Sequence, residues 1–154
     1  MALKVVSKQE MLNQVGLKFE PGPWSEMPQT RINEFADCTE DHQFIHVDAQ
    51  AAAQTPFGTT IAHGLLTLSM LVKLCESSAV MPQNIVMGLN YGFDKIRFLA
   101  PVKEGKRIRA HVEILDVTQK DDNRFLIKQG VSVEIEGEET PALVAEWLNM
   151  MIVG

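Results

Sequence analysis

The period of the apolar pattern changes once along this chain, and that change limits the folds open to it. From Ile61 to Ser78, apolar residues recur with helical spacing through Leu65, Leu68, Met70, Leu71, Val72, Leu74 and Cys75. So little polar surface remains that a helix here is expected to be central and nearly encircled. After Ile85 the period shortens to two. Ile108, Ala110, Val112 and Ile114 alternate with their neighbours within 107–117, as do Phe125, Ile127, Gln129, Val131, Val133 and Ile135 within 124–135. That is the pattern of strands covered on one face. Shorter strands are expected over 85–89 and 93–98, and a last one over 142–152, apolar on both faces. The connections 103–105, 120–123 and 136–139 read as hairpins. One buried helix followed by antiparallel strands is an α+β arrangement, with the sheet wrapped around that helix.

The first part of the chain reads as short helical pieces. A helix over 7–15 would face Leu12 and Val15 inward, and Pro21-Gly22-Pro23 then breaks the chain. Thr30 can cap a helix running through Phe35 and Cys38, with Glu34 in its early turns. Asp48 caps an Ala-rich piece over 49–54, which Thr55-Pro56-Phe57-Gly58 ends. A length of 154 residues suits a single domain over 1–154.

A polar turn interrupts the helical part. It carries Asp41 and, five positions on, His46; His63-Gly64 follows at the head of the apolar segment. A carboxylate, an imidazole and a backbone donor at a helix start are what a proton-transferring carbonyl enzyme needs. Spacing alone favours a plainer reading, with Asp41 a helix cap and His46 a packed turn histidine.

Three blocks in order change that balance: Asp41-x-x-x-x-His46, then Phe57-Gly58-Thr59-Thr60-Ile61-Ala62-His63-Gly64, then Phe98-x-x-Pro101-Val102-x-x-Gly105. Together they resemble the MaoC-like family of (R)-specific enoyl-CoA hydratases, most closely its nodulation-protein-N-like branch, from about Thr30 onward. The resemblance implies the hot-dog fold, a long helix gripped by a curved antiparallel sheet, and a homodimer with a continuous sheet. It implies hydration of a trans-2-enoyl-CoA to an (R)-3-hydroxyacyl-CoA, or the reverse dehydration, as in fatty acid metabolism. Asp41 matches the aspartate that activates water. His46 matches the histidine that holds the water and helps deliver a proton to the α carbon. Gly64 matches the glycine whose N–H meets the thioester oxygen. Phe57, Gly58 and His63 fall in the block expected to contact substrate, His63 being a structural or substrate-loop residue rather than a second base.

The chain also departs from the family pattern. Gln43-Phe44 stands where many members have Asn-Pro, and Gln43 could lend a side-chain amide to the acid/base pair. Val72 stands where some members have a serine. With the thioester at Gly64, Leu68 and Val72 are expected to wall the acyl tail.

The rest of the sequence sets the outer bounds. A net charge of −6 argues against nucleic acid as partner. No run approaches the ~18 apolar residues of a membrane span, and the N-terminus lacks the apolar core of a signal peptide, so a cytoplasmic protein is expected. Cys38 and Cys75 make neither a disulfide framework nor a metal site and are expected to be buried thiols. His42 and His46 have zinc-compatible spacing but no third ligand, so no metal is expected, and no phosphate-loop motif or other cofactor signature is present. The basic residues Lys95, Arg97, Lys103, Lys106, Arg107 and Arg109 read mostly as solvated strand positions, a few of which could meet CoA phosphates. Two other classes keep the acyl-CoA ligand: a hot-dog thioesterase, which would hydrolyse saturated thioesters, and a non-catalytic acyl-thioester-binding module.

Overall fold

The computed structural model describes residues 3–154. Its frame is a five-stranded antiparallel sheet of order β2-β5-β6-β7-β4, built from β2 (Ser25–Glu26), β4 (Ile85–Phe98), β5 (Arg107–Asp121), β6 (Arg124–Ile135) and β7 (Leu143–Val153). A separate parallel pair joins β1 (Lys4–Val6) to β3 (Val80–Pro82). The helices are α1 (Gln29–Thr39), α2 (Phe44–Val47), α3 (Ala49–Ala53), α4 (Gly64–Ser69) and α5 (Leu71–Leu74).

Alternation decides which face of the sheet is covered. Along β6 every second residue is buried, from Phe125 to Ile135, and β5 contributes Ile108, Ala110, Val112 and Ile114 to the same side. Leu66, Met70, Leu71 and Leu74 of the α4–α5 segment share that core. Fully burying an Ile or Phe such as Ile127 or Phe125 contributes about 1.5–3 kcal/mol.

Several expectations change. The helix expected over 61–78 is helical only from Gly64 to Leu74, with a break at Met70. Its start moves because Ile61 instead makes a β-bridge to Lys103. It is not encircled either, since Leu65 and Val72 are 61% and 59% exposed. The two short strands expected over 85–98 are one strand, β4, whose pairing to β7 shifts register beside Asn90–Gly92 and Phe93–Lys95. Residues 103–105 are no hairpin: β4 and β5 are separated in the sheet by β7 and β6.

Near the N-terminus, a four-residue 3-10 helix, Met11–Gln14, buries Met11 and Gln14 while Leu12 and Val15 face out. Its tighter winding puts different residues on one face. Helix α1 starts after Pro28, so Thr30 lies inside it rather than at its cap. Asp48 caps α3 as expected, accepting from Gln50 N and Ala51 N at 3.0 Å each. Cys75 is buried, which pushes its thiol pKa up to about 12, but Cys38 is exposed.

Candidate functional site

Residues 60–62 form the spine of the site, held on both sides. Ile61 N donates to Ile45 O at 3.0 Å, Ala62 N to Val102 O at 2.8 Å, and Glu104 N to Thr60 O at 3.0 Å. The chain then enters α4 at Gly64, with His63 as its N-cap residue. Asp41 lies in the turn between α1 and α2, which opens where Glu40 takes the left-handed conformation at φ 62°. His46 N closes that turn on Gln43 O at 3.0 Å. Phe44 takes the first helical position of α2, the place a proline would suit, so the turn forms without one. Gln43 contributes its backbone N–H, 3.4 Å from Asp41 Oδ1, while its side chain is exposed.

His46 is buried at 6% exposure. Its Nδ1 lies 2.6 Å from Ile61 O. A carbonyl only accepts, so Nδ1 carries the proton and Nε2 is left with the free lone pair. The Gln29 amide of α1 donates to His46 O at 2.7 Å and to Asn33 Oδ1 at 2.8 Å, and accepts from the buried Thr60 hydroxyl. These bonds fix the histidine from behind. Burial lowers the His46 pKa below the ordinary imidazole value; the Ile61 carbonyl opposes this, His63 adds to it, and Asp41 opposes it.

His63 is 3% exposed and stacks on His46, with ring centroids 3.8 Å apart and planes at 23°. Its Nε2 lies 3.0 Å from the backbone O of Asp41 and 4.0 Å from Oδ2. One carboxylate oxygen of Asp41 and one ring nitrogen from each histidine lie within 4.8 Å of one another. A single water making two hydrogen bonds of ~2.8 Å can span that distance. A cavity of about 290 Å³ opens beside them, lined by His46, Phe57, Gly64, Thr67, Phe98 and Ala142 among others.

Of the residues singled out from sequence, His46, Gly64 and Phe57 reach this cavity. Asp41 is gathered with the two histidines but stands at the solvent side, its side chain 53% exposed. Gly58 shapes the preceding turn at φ +73°, its N–H donating to Thr55 O. His63 packs behind His46 rather than lining the cavity. Leu68 and Val72 are not in the lining either; Leu68 packs against the core and Val72 faces solvent. At 100° per residue Val72 falls about 80° around the helix from Gly64, and the break at Met70 intervenes. His42 turns away to Asp37 Oδ1 at 2.8 Å, so it does not converge with His46. Arg107, Arg109 and Lys106 pair with Glu136, Glu134 and Glu138, as solvated strand cations do.

Gln29 and Thr67 carry no expectation from the sequence, and Thr60 stands in the second motif block without a role of its own. Thr67 carried a usable signal, being a hydroxyl in the apolar segment three residues after Gly64.

A curled antiparallel half-barrel with few helices, bearing this cavity at the head of α4, is a hot-dog fold. The model of the MaoC like domain matches residues 10–135, and the chain belongs to that family of dehydratases. It is 40% identical over 147 residues to nodulation protein N of Rhizobium leguminosarum bv. viciae, covering 95% of this chain and 91% of the relative. It is 41% identical over 131 residues to 3-hydroxyacyl-thioester dehydratase Z of Mycobacterium tuberculosis, covering 85% and 86%. Among solved structures, the R-hydratase PhaJ1 from Pseudomonas aeruginosa in its unliganded form superposes with a TM-score of 0.69 at 25% identity, covering 91% of this chain and 83% of that one.

Proposed function

We propose that this protein adds water across the double bond of a trans-2-enoyl-CoA to give the (R)-3-hydroxyacyl-CoA, and catalyses the reverse dehydration. The observation that carries the reading is the pairing of Asp41 with His46, which shares a cavity wall with Gly64. One water shared by Asp41 and His46 is the nucleophile. As its oxygen attacks the β carbon, its proton passes to the pair, electron density moves onto the thioester oxygen as an enolate, and a proton returns from the pair to the α carbon. The Gly64 N–H, at the first helical position, has no partner within its helix and meets that oxygen. Phe57, Thr67 and Phe98 wall the reacting carbons. Supporting the reading are the family itself and the dehydratase and R-hydratase names of the relatives.

Purified protein should consume crotonyl-CoA or trans-2-decenoyl-CoA, followed by loss of the enoyl-thioester absorbance, and yield the (R) alcohol by chiral chromatography. An (S) product, or release of free CoA thiol from saturated acyl-CoAs without hydration, would replace this reading with another lyase or a thioesterase.

The same reading includes a symmetric dimer. Strand β4 is an edge of the sheet, and it leaves Val86, Met87, Leu89, Tyr91 and Phe98 about half or more exposed. Leu65 and Val72 add apolar surface on the helical segment. Unpaired edges bearing apolar residues pair with other chains, and two copies of β4 joined about a twofold axis would continue the sheet. Light scattering at assay concentration is expected to give twice the chain mass of 17.2 kDa. An active monomer would refute the dimer while leaving the chemistry standing.

No helix among the described residues is long and apolar enough to cross a membrane. We place the enzyme in the cytoplasm, acting on thioesters of fatty acid metabolism.

A further inference from the structure

We infer that His63 is a positioning residue: a neutral imidazole, protonated on Nε2, that ties the Asp41 turn to the ring of His46 and sets both against the Gly64 donor. The inference rests on the hydration reading for its kinetic consequence, but its geometry does not.

Three contacts carry it. The Nε2 of His63 meets the main-chain carbonyl of Asp41 at 3.0 Å. That oxygen can only accept, so the proton sits on Nε2. The ring face stacks on His46 at 3.8 Å. The residue itself is the N-cap of α4 and is bonded directly to Gly64. One side chain therefore touches the turn of the carboxylate and the plane of the base, and its own peptide unit supplies the N–H proposed to meet the thioester oxygen. Phe35 lies 4.9 Å from the same ring, tilted by 56°.

The remaining nitrogen makes the case for a specific role. Among the described residues, His63 Nδ1 is buried without a hydrogen-bond partner. An orphaned polar atom in a folded core costs free energy, and an apolar side chain would avoid that cost. The imidazole must therefore supply something an apolar ring would not, and the bond to Asp41 O is the available candidate. A charged His63 would lie against His46, which has itself to accept a proton during the proposed cycle. Among the described residues, the Asp41 carboxylate, 4.0 Å away, is the other ionisable group gathered with it. The two stacked histidines thus hold opposite tautomers: His46 protonated on Nδ1 with Nε2 free to act, His63 protonated on Nε2 with Nδ1 silent.

Three substitutions separate this role from simple core filling. A glutamine amide reaches the position of Nε2 and restores the bond to Asp41 O. An asparagine amide reaches only the position of Nδ1, and phenylalanine keeps a ring with no donor. His63→Asn and His63→Phe are expected to lose about 10- to 100-fold in kcat with little change in KM, as misplacement of reacting groups by an ångström does. His63→Gln should recover most of that loss. Nitrogen-15 spectra of the imidazoles in the full chain supply a readout independent of turnover. Wild type should show His63 as the Nε2–H tautomer and His46 as the Nδ1–H tautomer, and the His46 titration should move in His63→Phe but less in His63→Gln. Equal kcat and equal pH profiles across all three variants, or a His63 proton found on Nδ1, would overturn the inference. A wild-type protein without hydratase activity would instead overturn the proposed reaction, and the nitrogen spectra and the His46 titration would still decide the role of His63.

Discussion

Replacing Asp41 by Asn, or His46 by Asn, should lower kcat by about 100- to 10,000-fold, the range that positioned acid/base groups contribute. The variants follow from the geometry. Asp41 is exposed, so Asn removes the base at little cost to folding. An asparagine at position 46 places its amide where Nδ1 was, keeping a donor for Ile61 O while deleting Nε2. Because Asp41 and His46 are proposed to hold one water between them, their effects should not multiply: the double variant should be little worse than the poorer single one. Multiplying losses would mean that the two groups act on different protons. The pH profile gives a second reading. Burial, the largest influence on His46, lowers its pKa, so the neutral base persists to more acidic pH than a free imidazole. The acid limb of kcat/KM in wild type should therefore fall below the ordinary imidazole value of about 6.5, and the part due to His46 should vanish in His46→Asn.

The parts of this picture that sequence could show are those set by local rules. The Asp48 cap involves atoms two and three residues away. The alternation of β6 follows from a sheet covered on one face, and its bounds agree with the expected 124–135. The order of Asp41, His46 and Gly64 was visible through the resemblance; His46 and Gly64 line one cavity, and an Asp41 carboxylate oxygen lies within 4.8 Å of a His46 ring nitrogen. The failures lie where tertiary pairing overrides the pattern. Ile61 fits a helical period, yet its backbone pairs with Lys103 across the sequence. Residues 103–105 look like a hairpin because they separate two strands, and nothing local says that β7 and β6 come between them. Gln29 reaches His46 O across 17 positions and Thr60 across 31, through single hydrogen bonds that leave no periodic trace. Val72 meets the acyl wall only if the helix runs uninterrupted from Gly64, and the break at Met70 intervenes.

The second large effect is expected at Gly64, where the proposed donor is a backbone N–H that side-chain replacement does not normally reach. Proline can reach it here. Gly64 is the first helical residue of α4, the position where proline's fixed φ suits the helix and its missing N–H breaks no helical bond. The residue before a proline must be extended, and His63 already is, at φ −57° and ψ 136°. Gly64→Pro should therefore keep the helix start while deleting the N–H. If that N–H meets the enolate oxygen, kcat should fall about 100- to 1,000-fold, the usual loss for one oxyanion donor. Proline also adds atoms. A Cβ at this position would lie 3.0 Å from Phe98 Cδ1 and 3.1 Å from Cε1, closer than carbon atoms sit comfortably. Gly64→Ala introduces that crowding and keeps the donor, so it measures the steric share alone. Phe98 is half-exposed on the edge strand and its ring can give way, so the alanine variant should lose much less in kcat than the proline variant. Equal losses in the two would assign the whole effect to Phe98 and remove the Gly64 N–H from the mechanism. A large loss confined to proline, with thermal unfolding close to wild type, would leave the donor as its cause.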